Sequence, residues 1–220
     1  MALTLVIGNK NYSSWSLRAW LAMKIAGLAF AETRVLLDEP HTRDNILRYS
    51  PTGRVPCLID EAAGNELRIW DSLAICEYVN ETYAGGALWP AERAARARAR
   101  AVVAEMHSGF AGLRANMSMD IRAHAPARGA AALARPDVAA EVERVRALWS
   151  ECLQRSGGPL LFGAVSIADA FYAPVVMRFA TYAVPLAAAL QDYCAQVVAM
   201  PVMRQWIDAA RAELEVLPNH

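Results

Sequence analysis

The chain has 220 residues, with 22 basic side chains against 22 acidic ones and 55% hydrophobic residues. That length allows one large core or two small ones; the hydrophobic content excludes general disorder, and the charge balance argues against nucleic acid as a partner. Four scattered cysteines, Cys57, Cys76, Cys152 and Cys194, in a chain of this size fit free thiols in a reducing compartment better than a disulfide scaffold.

The opening MALTLVIGNKNYSS has neither a basic leader nor a small-residue cleavage site, so no signal peptide is expected. Leu3 to Ile7 reads as a strand, and the polar GNKNYSS after it as a loop. From Ser14, Leu17, Leu21, Ile25 and Leu28 recur at helical spacing, with Gly27 as a stop. Thr33 to Leu37 suits a second strand, parallel to the first through a right-handed crossover. A weak helix over Thr42 to Tyr49 follows. Cys57 to Ile59 and Leu67 to Ile69 then form an antiparallel pair around a Gly-Asn turn. Asp71 or Ser72 caps a further helix that stops near Gly85 and Gly86, completing the order βαβαββα.

Beyond Pro90 alanine is dense and no strand is expected. The boundary falls at residues 84–90, between an α/β unit over 1–83 and an all-helical unit over 91–220. Residues 91–119 read as one long helix, bent near Gly109 and Gly112. A second ends at Gly157 and Gly158, and others cover Ile167 to Thr181, Leu186 to Val198 and Pro201 to Glu213. Ser166 and Asp169 form a capping box, a folding signal. The apolar stretch Tyr172 to Leu190 carries Arg178 and two prolines, which fits buried packing and not a membrane span.

His41, His107, His124 and His220 lack metal-ligand spacing, so no metal is expected. No dinucleotide, P-loop, nucleophile-elbow or C-x-x-C motif is present. Ser13 and Ser14 stand between the first strand and the first helix, where backbone amides favour an anion; one can cap the helix and either can donate a hydrogen bond to a ligand. In Arg54-Val55-Pro56-Cys57 the proline leaves neighbouring peptide groups open to an extended ligand, while Cys57 alternates with Ile59 as a buried thiol would. Asp71 and Ser72 offer a carboxylate and a hydroxyl, one for capping and one for a ligand. Met106, Phe110, Leu113 and Met117 make a helical stripe of core type.

In their order and spacing, NYSSWSLRAWLAMKIAG, RVPCLID, WDSLAICEYV and SIADAFYAP resemble the glutathione transferase superfamily, and its zeta and related bacterial classes in particular. The resemblance implies a thioredoxin-like glutathione-binding domain before a helical one, a cytoplasmic homodimer, and conjugation of glutathione, as cosubstrate, to a small apolar electrophile. Alternatives it leaves open are cis-trans isomerisation of an unsaturated acid, of the maleylacetoacetate or maleylpyruvate type, with Arg18 or Arg114 recruited, and a non-catalytic binding module. It makes Ser13 the donor to the sulfur, with Ser14 and Tyr12 as alternatives. It assigns Arg54, Val55, a cis Pro56, Asp71 and Ser72 to the tripeptide, and Trp15, Phe110 and Arg114 to a second-substrate pocket. Trp15 and Leu17 depart from the zeta pattern, which has cysteine and tryptophan at these places.

Overall fold

The computed structural model describes residues 3–62 and 66–217. Its front part runs β1 (Leu3–Ile7), α1 (Ser14–Ile25), β2 (Ala31–Arg34), α2 (Thr42–Leu47), β3 (Cys57–Asp60), β4 (Leu67–Trp70) and α3 (Ser72–Thr82). The sheet order is β2-β1-β3-β4, with β1 parallel to β2 and antiparallel to β3, and β3 antiparallel to β4. This is the expected mixed sheet; the Gly-Asn turn lies outside the described residues. β2 begins and ends earlier than its β-branched residues suggest, because its ladder stops where β1 does, at Ile7↔Arg34.

Alternation along β1 sorts the two faces. Leu3, Leu5 and Ile7 join Leu58, Ile75, Cys76 and Val79 under α1 and α3, while Val6 joins Val35, Ile46, Cys57 and Ile59 under α2. Burial pushes the Cys57 thiol up to about 11, as suits a core thiol and not a nucleophile. α1 is buried on nearly every face, since it packs against α3 on one side and against the helical part on the other.

Among the described residues seven helices follow: α4 (Arg93–Ser108), α5 (Ala111–Asn116), α6 (Pro126–Leu133), α7 (Pro136–Ser156), α8 (Ile167–Thr181), α9 (Ala188–Ala199) and α10 (Pro201–Ala212). The long helix expected over 91–119 is two: Gly109 turns extended after α4, and Phe110, left-handed at φ 58, starts α5. Helix α6 has no counterpart in the sequence reading. The Ser166–Asp169 capping box is present, with the Asp169 carboxylate also accepting the Leu161 N–H. Trp20, Trp149 and Trp206, each at most 2% exposed, fill the wide gaps between helices.

Candidate active site

A cleft of about 880 Å³ opens where the N-terminus of α1, the β3 entry, the start of α3 and the helices of the rear part converge. Its lining brings together Tyr12, Ser13, Ser14, Trp15, Arg54, Val55, Pro56, Asp71, Ser72 and Arg114, although these residues come from four separate stretches of chain. Phe110 is not among them. Its side chain is 6% exposed and belongs to the buried core cluster.

Ser13 is the N-cap of α1: its Oγ accepts the Ser16 N–H at 3.4 Å and donates to Ser16 Oγ at 2.7 Å. Ser16 Oγ in turn accepts the Gly8 N–H at 3.1 Å. The helix starts at Ser14, so Ser14 is not the cap; its Oγ instead accepts from the Arg178 guanidinium at 3.2 Å. The Tyr12 hydroxyl accepts from Arg122 at 3.0 Å and from the Leu217 N–H at 3.4 Å, both of the rear part.

The Val55–Pro56 bond is cis, as the resemblance implied. The β3–β4 ladder begins at Cys57↔Trp70, so the Val55 peptide lies beyond the groups the sheet uses. Across the cleft Asp71 caps α3 by accepting the Leu73 N–H at 2.8 Å, with φ 75 and ψ 131, a backbone region that favours glycine. Its other oxygen faces His107 Nε2 at 3.2 Å. Ser72 is 1% exposed, and its Oγ has no hydrogen-bond partner among the described residues. A buried, unpartnered hydroxyl at a cleft wall is available to hydrogen-bond a bound group.

Three arginines converge beside Trp15. The Arg18 guanidinium stacks on that ring at 4.2 Å and Arg114 lies 5.4 Å from it, while Arg178 donates to the carbonyls of Arg114 and Met117. Burial first, then repulsion from Arg114 and Arg178, pushes Arg18 down to about 9; burial likewise lowers Arg178 to about 10. Nε and Nη1 of Arg18 have no hydrogen-bond partner among the described residues. Sequence reading missed Arg178, which is 164 residues from Ser14, and also missed Arg43, Thr52, Trp70 and Met119 in the lining. Ser16 was legible as a third serine in SSWSLR but was not weighed. Among the described residues no group of side chains could hold a metal ion, and no helix is long and apolar enough to cross a membrane.

Residues 12–82 match the family described as Glutathione S-transferase, N-terminal domain, and residues 90–209 match Glutathione S-transferase, C-terminal domain. A glutathione transferase homolog from Burkholderia gl BGR1, solved with bound glutathione, superposes with a TM-score of 0.69 at 26% identity, covering 97% of this chain and all of that one. A curated relative, dichloromethane dehalogenase of Methylorubrum extorquens (strain DSM 6343 / CIP 106787 / DM4), is 45% identical over 42 residues, 19% of this chain and 13% of that protein. A zeta-class maleyl pyruvate isomerase superposes with a TM-score of 0.71 over 97% of this chain and 99% of that one; at 22% identity the likeness is one of fold.

Proposed function

The chain belongs to the glutathione S-transferase family, and on that premise we propose that it binds glutathione in the cleft, favours its thiolate and transfers the sulfur to an electrophilic carbon. The observation that carries this reading is the set of polar groups facing one cleft: the orphaned Ser72 hydroxyl, the Val55 peptide outside the ladder, and the Ser13 hydroxyl, which caps a helix N-terminus and is shared with Ser16. They match in kind what the tripeptide carries. Ser72 and Asp71 receive the γ-glutamyl ammonium and carboxylate, Val55 pairs with the cysteinyl peptide beside Pro56, and Arg54 meets the glycyl carboxylate.

The sulfur then lies at Ser13. When thiolate binds, the shared hydrogen between Ser13 and Ser16 reverses its direction: Ser16, held by the Gly8 N–H, donates to Ser13 Oγ, and Ser13 donates to sulfur. The amides of the first turn of α1 add a positive field. A thiol pKa lowered by one unit requires about 1.4 kcal/mol of preferential stabilisation, within reach of one such hydrogen bond and a helix end. The thiolate forms a carbon–sulfur bond, and the leaving group departs with its electron pair. Tyr12 is disfavoured as donor because its O–H is directed at the Glu215 carbonyl at 3.5 Å, while its oxygen accepts from Arg122 and the Leu217 N–H. Trp15 and Met119 supply apolar walls for the second substrate.

The test is titration of bound glutathione by thiolate absorbance, with turnover over a panel of electrophiles. Ser13→Ala is expected to raise the thiol pKa and lower kcat about tenfold or more while glutathione Kd stays within about twofold. An unchanged pKa and kcat in Ser13→Ala, with a large loss in Ser14→Ala or Tyr12→Phe, moves the donor elsewhere. Binding without turnover of any electrophile favours the non-catalytic module.

A second reading, glutathione-dependent isomerisation of an unsaturated acid, is favoured by the arginine cluster, of which Arg114 and Arg178 line the cleft. Sulfur adds to the double bond, the single bond so formed rotates, and sulfur leaves again. Arg114→Met is then expected to raise KM for acidic substrates and spare neutral ones; equal effects on both would remove this reading.

A further inference from the structure

The loop that ends on Ser13 is held from outside its own domain. After α10 the chain turns extended at Glu213 and crosses this loop as a strap running to Leu217. The Glu213 carboxylate, 8% exposed, accepts two successive backbone N–H groups, from Lys10 at 2.7 Å and from Asn11 at 3.0 Å. Consecutive amides converging on one anion form a nest, an anion-binding concavity of the backbone. Arg34 of β2 approaches the same carboxylate at 3.1 Å and sits beside Glu215 at 2.8 Å.

Other rear-part groups hold further polar atoms of the loop. Trp206 Nε1 donates to the Lys10 carbonyl at 3.0 Å, Asn11 Nδ2 donates to Asp120 at 2.7 Å, and the Arg122 N–H donates to Asn11 Oδ1 at 3.0 Å. The Arg122 guanidinium joins the Tyr12 hydroxyl to the strap carbonyls of Glu213 and Glu215. Within the loop the Ser13 N–H donates to the Asn9 carbonyl at 2.8 Å, so the conformation set at Lys10 and Asn11 is passed directly to Ser13.

We propose that Glu213 is a positioning residue for the sulfur site: by closing the amide nest at Lys10 and Asn11 it fixes the loop conformation in which the Ser13 hydroxyl meets the bound thiolate. This rests on the assignment of Ser13 as sulfur donor. Glu213 touches neither the tripeptide nor the electrophile, and the strap acts on ionisation of the thiol and not on capture of the peptide. Its carboxylate is needed for its two anionic oxygens. Glutamine keeps one acceptor and puts an amide N–H₂ against the other backbone N–H, so Glu213→Gln spoils half of the nest at nearly the same volume.

The experiment uses the full chain as wild type, Glu213→Ala and Glu213→Gln, with glutathione as the probe. Three quantities are read: amide hydrogen exchange at Lys10, Asn11 and Ser13, the thiol pKa of bound glutathione, and glutathione Kd beside kcat. Exchange at these amides is expected to quicken at least tenfold in the alanine variant, the thiol pKa to rise by about one unit, and kcat to fall about tenfold, with Kd within about twofold. Glutamine is expected to fall between alanine and wild type in all three. Unchanged exchange and unchanged pKa in folded variants overturn the proposal, and so does a loss confined to Kd. If the alanine variant does not fold, the glutamine variant decides by the same readings. Should wild type itself show no lowered thiol pKa, the Ser13 reading has failed; quickened exchange in the variants would then leave Glu213 as a loop anchor only, which also overturns its role at the sulfur.

Discussion

Asp71 holds φ 75 and ψ 131, a conformation that costs a non-glycine residue about 1–3 kcal/mol. Glycine relieves that strain, and as an N-cap it loses only a few tenths of a kcal/mol against aspartate. Asp71→Gly is therefore expected to melt no lower than wild type while binding glutathione about tenfold more weakly, since an interaction with a charged group is worth about 1.5–3 kcal/mol. Thermal melting with calorimetric titration checks both; a lower melting point with unchanged Kd would make Asp71 a folding residue alone. At this scale the site was legible where its parts are neighbours in sequence: Ser13, Val55-Pro56 and Asp71-Ser72 each lie in one short stretch. Arg178 and Glu213 were not, because their partners Ser14 and Lys10 are 164 and 203 residues away and nothing local marks the pairing. Ser14 was misread as a possible cap for a different reason. Two adjacent serines satisfy the same sequence rule, and only the backbone, with Ser13 outside the helix at φ −81 and ψ 86, separates them.

Helix α6 offers a test in which propensity and packing oppose each other. Gly129 lies inside it, where alanine ordinarily gains about 1 kcal/mol. A Cβ there would stand 2.0 Å from the carbonyl oxygen of Tyr182, a backbone atom that cannot swing aside. Gly129→Ala is expected to destabilise the protein by about 1–3 kcal/mol by urea unfolding, the scale of overpacking; a stabilised variant would show that α6 is loosely docked. The same element was missed in the sequence because its apolar residues are alanines, which give little periodic contrast, although Pro126 in its first turn was a usable start signal. Capped elements were read best. Helix α8 carries both halves of a capping box, and its limits, Ile167 to Thr181, are those expected. The break between α4 and α5 was placed near Gly109 but underrated as a bend, since a left-handed phenylalanine is not a sequence signal.

In the whole molecule the two family segments share their main core, and only the small cluster of Val6, Val35, Ile46, Cys57 and Ile59 under α2 belongs to the front part alone. One cluster of buried side chains runs from Leu3, Leu58 and Val79 through Val103, Trp149 and Tyr172 to Trp206 and Ala210. The shift from mixed α/β to alanine-rich sequence disclosed two architectures, but the sharing of a core was not legible, because α1 is buried on nearly every face, Ser16 and Arg18 included, and sequence does not say which neighbour each face meets. The edge strand β4 leaves Leu67 39% and Trp70 45% exposed. We infer a homodimer whose two-fold interface pairs the front part of one protomer with the helical part of the other. A stable interface of this type buries more than about 1,200 Å² in total. Light scattering at micromolar concentration is expected to give twice the chain mass, and a single-chain mass would count against it.

That continuous core bears on how such a protein can be recombined. A crossover between Thr82, where α3 ends, and Arg93, where α4 starts, makes a seam that leaves α1 from one parent facing α8 from the other, and with it the bond between Ser14 and Arg178. Jigsaw packing is not conserved by swapping halves of unlike volume. Chimeras with a distant homologue joined at that seam are expected to be insoluble or molten, and those that also carry the matching α8 residues to fold. The seam in the chain is thus not a seam in the interior, and inheritance of either half alone would bring along half of a surface that has no partner.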